Sequence, residues 1–141
     1  MSDKIHVSSG SPMEPIIGFC RAIRVERHIW VAGTAPIASD GSAAHVGDVY
    51  GQTRRCIEIA AEAIGKAGGS LDDVVRTRIM LTSIENWRDA ARAHGDVFAT
   101  IRPVATFVEV SRFIDPEWLV EMEFDCFISG NSAGDEKVGL P

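Results

Sequence analysis

The sequence predicts an α/β (α+β) fold in which a mixed sheet of five strands carries two helices on one face, in the order β-β-α-β-α-β-β. From 118 to 128, acidic residues alternate with apolar ones, which is the period of a strand. Between 49 and 67, apolar residues recur at steps of three and four, which is the period of a helix. Because strands and helices then alternate, right-handed crossovers should place both helices on one side.

The composition predicts one soluble globular domain over 1–141. The chain has 141 residues, of which 45% are hydrophobic and 24% are charged, and it is long enough to bury roughly two-thirds of its unfolded surface. A net charge of −6 disfavours nonspecific nucleic-acid binding, which needs a cationic surface. No apolar run approaches the roughly 18 residues that span a bilayer, so no membrane partner is expected.

The cysteines and histidines predict a cytoplasmic protein without metal or cofactor. Cys20, Cys56 and Cys126 are odd in number and widely spaced, which is typical of neither a disulfide framework nor a zinc site and favours a reducing compartment. The four histidines are scattered and form no set with ligand spacing.

The N-terminal half should contain an arm, a hairpin and a loop. Residues 1–12 are small and polar and predict a loosely held arm, so the ordered core is expected over about 16–129, with polar tails at both ends. Segments 18–25 and 28–33 are typical of two hairpin strands. Segment 34–47, which contains an Asp-Gly pair, predicts a loop.

A helix should follow that loop. Its apolar stripe runs from Val49 to Ala67, and Gly68-Gly69 supplies the C-terminal stop. Ser70 with Asp73 three positions later predicts a capped single turn, a variant of the capping box.

The second half should add a strand, a helix and two more strands. Alternation over 73–81 predicts the strand, and Ser83 is a candidate N-cap for a helix whose stripe runs to Ile101. That helix should end at Arg102-Pro103 because proline disfavours helical geometry in the preceding residue. Segments 105–110 and 118–128 complete the sheet, and a polar tail begins at Gly130.

Five charged residues are expected on the sheet face that the two helices leave uncovered: Arg76, Arg78, Glu121, Glu123 and Asp125. An oligomer would bury this face and could pair the charges between subunits. Alternatively, the face is solvated and carries surface ion pairs worth about 0–1 kcal/mol each.

The motifs that carry a family resemblance are GFCRAIRV at 18–25, WVAGTAP at 30–36, QTRRCIEIAAEAIGKAGGSLDDVVRTRIML at 52–81, RPVATFVEV at 102–110 and LVEMEF at 119–124. From about 18 to 128 the chain resembles the Rid/YjgF family of reactive intermediate (enamine/imine) deaminases, also labelled the L-PSP endoribonuclease family. The resemblance implies a chorismate-mutase-like fold, a homotrimer and three small clefts between subunits that bind carboxylate-bearing molecules.

The family's site residues are largely replaced in this sequence. The arginine that holds the substrate carboxylate corresponds to Ala105, and the family's tyrosine, serine and asparagine correspond to Phe19, Ala32 and Ala91. The glutamate thought to position the attacking water is kept as Glu121. The resemblance therefore implies a divergent subgroup in which Glu121 is the candidate catalytic residue.

Losing that arginine has a direct physical cost. A guanidinium holds a carboxylate through two charge-assisted hydrogen bonds, and each hydrogen bond to a charged group is worth about 1.5–3 kcal/mol. We therefore expect weak hydrolysis of 2-aminoacrylate or 2-iminobutanoate. Arg102 could replace the missing cation or could be a solvated helix-end residue. Arg21 could reach the cleft edge or lie on the surface. Arg78 is expected to be structural, paired with Glu121 or Glu123.

Other polar and aromatic side chains have structural readings beside functional ones. Cys20 could be a nucleophile beside Phe19, with His28 across the predicted hairpin as its candidate base, or an inert buried thiol. The three tryptophans are predicted to anchor the core or an interface rather than to stack on a ligand: Trp30, Trp87 and Trp118. Two functions stay open: hydrolysis of a C–N bond in an uncharged or bulkier small molecule, and non-catalytic binding of a metabolite. The charge balance makes an endoribonuclease the weakest alternative.

Overall fold

A mixed six-stranded sheet organises residues 3–129, the part of the chain that the computed structural model describes. The strands are β1 (Lys4–Val7), β2 (Ala22–Val25), β3 (His28–Thr34), β4 (Val74–Leu81), β5 (Val104–Glu109) and β6 (Val120–Phe127). They lie in the order β1-β2-β3-β6-β4-β5, and all neighbours are antiparallel except β4 and β5. The predicted class is confirmed, and the tail predicted from Gly130 lies outside the described residues.

The helices are α1 (Met13–Ile17), α2 (Val49–Lys66) and α3 (Trp87–Phe98). Helix α2 begins where the Asp48 carboxylate accepts the Gly51 N–H at 3.0 Å. It ends as predicted, with Gly68 at a φ of 94° and the Gly69 N–H donating to the Ile64 carbonyl at 2.9 Å. The capped turn also forms, because the Ser70 N–H donates to the Asp73 carboxylate at 2.9 Å.

The core lies between the sheet and the two long helices. Alternate residues of the central strands point into it, and so do the inward faces of α2 and α3. The largest fully buried apolar side chains are Phe98, Phe124, Ile29, Ile64, Ile79, Leu81, Met122 and Val120. No helix among residues 3–129 combines the length and apolar character that crossing a membrane requires.

The N-terminal segment departs from the prediction of a loose arm. Strand β1 pairs with β2 from Lys4 to Val7, and the Val7 side chain is buried in the core. Two further short-range predictions are wrong. Phe19 is not in a strand, because Gly18 ends α1 in the left-handed region and β2 begins only at Ala22.

Ser83 is not the N-cap of α3, although the sequence made it the candidate. Its side chain makes no capping hydrogen bond, and the next residues form one tight turn before α3 begins at Trp87. The Ile84 N–H instead donates to the Glu109 carboxylate at 2.8 Å. The cap is therefore supplied by β5, a partner 25 positions away that a local sequence pattern does not reveal.

The charged residues of β4 and β6 occupy the uncovered sheet face, as predicted. Arg78 lies 3.3 Å from Glu123 and 3.7 Å from Asp125, and Arg76 lies 3.7 Å from Asp125. The exposed indole of Trp30 stands on the same face, opposite Asp125 in the β3–β6 ladder. Within one chain, the arginines are therefore paired with the two outer carboxylates of β6.

Candidate functional site

A cavity of about 790 Å³ lies beside the start of β6. Its wall comes from five stretches of chain: the segment after β1, the turn before β2, the end of β3 with its loop, the outer side of α2, and residues 114–121. Much of the lining is apolar, including Phe19, Ile37, Ile59, Ile114 and Trp118. Charged side chains also line the cavity, namely Arg21, Asp40, Arg55, Glu62, Lys66 and Glu121. The wall therefore combines an apolar surface with polar groups, as small-molecule sites usually do.

A β-bulge opens the sheet next to Glu121. The register between β3 and β6 shifts between Val31 and Thr34, so an extra residue is accommodated in β3. A Cβ added to Gly33 would lie 3.2 Å from the Glu121 Oε1 atom, a close contact that the glycine avoids. The bulge therefore gives the Glu121 carboxyl group room at the cavity wall.

Glu121 is half-buried at the cavity wall. Within residues 3–129 of the single chain, the Glu121 carboxyl group makes neither a hydrogen bond nor an ion pair. Burial raises the pKa of Glu121, the positive charge of Arg21 opposes that rise, and the negative charge of Glu123 adds to it. A carboxyl group in this state is a candidate for proton transfer.

Arg21 lies just before β2 and is almost fully buried, with 9% of its surface exposed. Its Nη1 donates to the Gly33 carbonyl at 2.6 Å and to the Thr34 hydroxyl at 3.1 Å, both at the bulge. Its guanidinium carbon stands 5.4 Å from the centre of the Phe19 ring. Burial lowers the pKa of Arg21, whereas Glu14 and Glu121 raise it. Arginine nevertheless stays cationic at neutral pH.

The structure brings together some of the predicted site residues in one chain. Glu121 and Phe19 both line the cavity. Ala32 lies beside them at the bulge, where its N–H donates to the Arg21 carbonyl at 2.9 Å. Of the candidate cations, Arg21 lines the cavity, whereas Arg78 is held by the other carboxylates of β6.

The remaining predicted residues lie elsewhere in the chain. Ala105 is in β5 beside Thr77, two strands away from β6. Ala91 lies on α3. Arg102 is exposed, has a φ of 57°, and donates its N–H to the Phe98 carbonyl at 2.8 Å. Their role in a cleft between subunits stays a prediction about the assembly.

Sequence reasoning missed most of the wall, including the loop after β3 and the outer side of α2. Residues 8–12 line the cavity although they were predicted to belong to a loose arm, and Ile114 lines it from the turn between β5 and β6. Neither segment has a periodic pattern, so no local signal in the sequence pointed to its place at the cavity.

The surroundings of Cys20 fit an inert thiol better than a nucleophile. Its half-buried thiol contacts the Ala22 carbonyl at 3.3 Å, and His28 instead stacks on Trp30 with ring centres 5.3 Å apart. Across 3–129, no three His, Cys, Asp or Glu side chains converge as metal ligands would.

The sheet order, the helix placement and the carboxyl-bearing cavity define the class: a small α+β domain with a ligand-sized site beside the bulge of β3. The chain belongs to the endoribonuclease L-PSP family, whose model matches residues 10–128. This confirms the family resemblance seen in the motifs.

Individual relatives support the same assignment. An uncharacterised protein of Streptomyces coelicolor is 37% identical over 121 residues, covering 86% of this chain and 90% of the relative. The 3-aminoacrylate deaminase RutC of Acinetobacter baylyi is 28% identical over 122 residues, covering 86% and 95%. The crystal structure of Rv2704 from Mycobacterium tuberculosis, a member of the YjgF/YER057c/UK114 family, is 40% identical. It has a TM-score of 0.81 and covers 89% of this chain and 100% of its own.

Proposed function

We propose that this protein hydrolyses a C–N bond in an enamine or imine bound in the cavity, with Glu121 as the proton-transfer group. The observation that carries the proposal is the half-buried Glu121 carboxyl group, unpaired within the described chain, at the wall of an open cavity with a largely apolar surface. The similarity to a 3-aminoacrylate deaminase supports the same reaction class. Since Ala105 stands where the family's arginine is expected, the chain belongs to a divergent subgroup with a non-standard substrate.

The reaction needs only water as a second reactant. An enamine first takes a proton on carbon and loses one from nitrogen to become the imine. Water then adds to the imine carbon, and one of its protons passes to the nitrogen to give a carbinolamine. The C–N bond of the carbinolamine then breaks as its hydroxyl proton is transferred to the nitrogen, which gives a carbonyl compound and ammonia. Glu121 accepts the proton of the attacking water as a carboxylate and returns it to the leaving nitrogen.

The environment of Glu121 favours chemistry over simple binding. A non-catalytic site would gain most from a Glu121 that is saturated by the arginines of its own sheet face. Arg76 and Arg78 instead contact Glu123 and Asp125. Cleavage of RNA receives no comparable support because the net charge of −6 opposes binding of a polyanion.

The proposed assembly is a homotrimer in which neighbouring chains complete each cleft. The exposed indole of Trp30 and the ion pairs of β4 and β6 lie on the sheet face that no helix covers. Exposed aromatic side chains are enriched at the centres of interfaces, and an oligomer would also bury the ion pairs beside Trp30.

The proposal is tested by ammonia release from imines that an amino-acid oxidase generates in the assay. We expect Glu121→Gln to lower kcat/KM by roughly 10²–10⁴-fold, because general acid–base catalysis contributes about that much. Glu123→Gln is the matched control, since its side chain lies on the same strand face but contacts Arg78, and it should retain turnover within roughly threefold.

Two outcomes would contradict the proposal. Full turnover by Glu121→Gln would remove the assigned role, and loss of the trimer in that variant would make Glu121 a structural residue. The substrate claim is tested separately with 2-aminoacrylate. A kcat/KM equal to that of an arginine-bearing family member would show that the replacement at Ala105 has no consequence.

A further inference from the structure

The guanidinium of Arg21 has an unused donor edge. Its five N–H groups lie in a fixed planar fork, and the hydrogen bonds to Gly33 and Thr34 both use Nη1. The N–H groups of Nε and Nη2 donate to no acceptor in the described part of the chain. This is the side-by-side edge through which arginine binds a carboxylate in bidentate geometry.

The neighbouring carboxylates do not occupy that edge. Glu121 and Glu14 both act on Arg21 electrostatically, yet neither forms an ion pair with it in residues 3–129. Glu14 is already engaged, since its Oε2 accepts the Ser9 hydroxyl at 2.6 Å and the Ser9 N–H at 3.0 Å. Donors without partners are costly when they are buried in a protein, so the free edge favours an anionic ligand.

One part of the cavity suits an apolar body rather than a short acid, whereas the remaining lining includes the charged side chains of Asp40, Arg55, Glu62 and Lys66. Aromatic and branched side chains line the apolar part between the loop after β3, α2 and the turn before β6, namely Phe19, Ile37, Ile59, Ile114 and Trp118. Its volume of about 790 Å³ lies within the range that holds drug-sized ligands, about 300–1,000 Å³. A ligand of three or four carbon atoms would leave most of this apolar wall in contact with water.

We propose that Arg21 anchors the carboxylate of the substrate through its Nε/Nη2 edge and that the apolar wall selects a bulky apolar substituent on the same molecule. The inference rests on the proposed function and names its substrate class: imino or enamino acids with a large aromatic or branched side chain. Glu121 on the same wall then faces the carbon–nitrogen bond. Arg21 takes over, from another position in the fold, the role of the cation absent at Ala105.

Direct binding tests this inference without turnover. The probes for calorimetry on the full chain are 3-phenylpropionate, the neutral 3-phenylpropanol and the short acid propionate. We expect wild-type protein to bind 3-phenylpropionate at least roughly tenfold more tightly than either of the others, because it alone offers both a carboxylate and an apolar body. This comparison needs no variant and therefore does not depend on how Arg21 substitutions fold.

Two variants then locate the effect. Arg21→Gln should remove the preference for the acid over the alcohol, while Arg21→Lys should keep part of it because a point charge remains. The matched control is Arg24→Gln, since Arg24 is a neighbouring arginine outside the cavity that donates to the Ala67 and Glu26 carbonyls. It should leave the preference unchanged. The anchor is overturned if acid and alcohol bind equally, if no probe binds, or if Arg21→Gln keeps the preference.

Failure of the anchor and failure of the hydrolase proposal are distinguishable. If 3-phenylpropionate binds in an Arg21-dependent way but no ammonia is released from the imine of phenylalanine, Arg21 is supported as the carboxylate anchor and the proposed hydrolysis is contradicted. If ammonia release depends on Glu121 but is unchanged in Arg21→Gln, the proposed hydrolysis is supported and the role of Arg21 as carboxylate anchor is contradicted.

Discussion

Glu121 and Glu123 lie two residues apart on the same face of β6, yet they have different surroundings. Glu123 is 3.3 Å from Arg78 on an exposed sheet face. Glu121 lies at the bulge of β3, next to Gly33 and without a hydrogen-bonding partner in the described chain. The same residue type therefore serves as one half of a surface ion pair at one position and as a candidate catalytic group at the other.

The environment of Glu121 predicts a stability that falls as pH rises. Burial raises its pKa above the ordinary 4.5, so the folded state holds the proton where the unfolded state has released it. Stability is therefore lost as pH increases from 4.5 towards the raised pKa, and the penalty is complete above that value. Arg21 reduces this penalty and Glu123 increases it.

Replacing the carboxyl group should remove the penalty. Glu121→Gln should unfold at a higher urea concentration than wild type at about pH 7.5. The difference should shrink at about pH 4, because the protonated glutamate of the wild type is then uncharged, like the glutamine of the variant. Glu123→Gln should change stability by about 0–1 kcal/mol, since it breaks only an exposed ion pair. A Glu121→Gln variant that is less stable than wild type at the higher pH would show that the carboxylate stabilises the fold.

At the level of elements, Gln52 connects α2 to the two irregular segments around the site. Its amide nitrogen donates to the carbonyls of Ala44 and Glu117 at 3.1 and 3.0 Å, and its oxygen accepts the Leu119 N–H at 2.8 Å. The side chain is fully buried. One residue of α2 therefore satisfies three backbone groups that lie outside regular ladders.

Gln52→Leu should leave those backbone groups without partners inside the protein. We expect a loss of about 3 kcal/mol or more in the free energy of unfolding, because three backbone groups lose their partner and each buried unsatisfied group costs about 1–3 kcal/mol. The matched control is Thr53→Val. Thr53 is equally buried but donates only to the Val49 carbonyl of its own helix, at 2.8 Å, so its loss should stay below about 1 kcal/mol. Equal losses in urea unfolding would contradict the role assigned to Gln52.

The elements also separate what the sequence could predict from what it could not. Helix α2 and strands β4 and β6 follow from local periodicity, which each segment carries on its own. Strand β1 has only four residues, and its pairing with β2 depends on contacts about 20 positions apart. No local pattern predicts such pairing. The cap that Glu109 supplies to the turn before α3 could not be predicted either, because Glu109 is also distant in sequence.

The candidate site was predictable only in part. The motif around β6 identified Glu121, and the segment before β2 placed Arg21 among three candidate cations. The choice between those cations depends on the bulge of β3, because the bulge supplies the Gly33 carbonyl and Thr34 hydroxyl that hold the Arg21 guanidinium. A sequence shows the glycine but not the register shift that gives it this position.

For the whole molecule, the proposed trimer makes a measurable prediction. Sedimentation velocity should give a particle of three times the 15.3 kDa chain mass, and Trp30→Glu should shift it towards the monomer by placing a charge within the proposed interface. Trp87→Glu is the matched control, since Trp87 is 42% exposed and Trp30 is 43% exposed, but Trp87 begins α3. A wild-type particle of one chain mass would contradict the trimer.

The wall of the cavity joins parts of the chain that are far apart in sequence, from Ser8 near the N-terminus to Glu121 in the last strand. A molecule seated there would contact segments that separate when the protein unfolds, so its affinity would belong to the native state alone. At a hundred times its dissociation constant, such a molecule adds about 2.7 kcal/mol to stability. The rise in melting temperature alone could then rank a chemical library and reveal the natural ligand before any reaction is known.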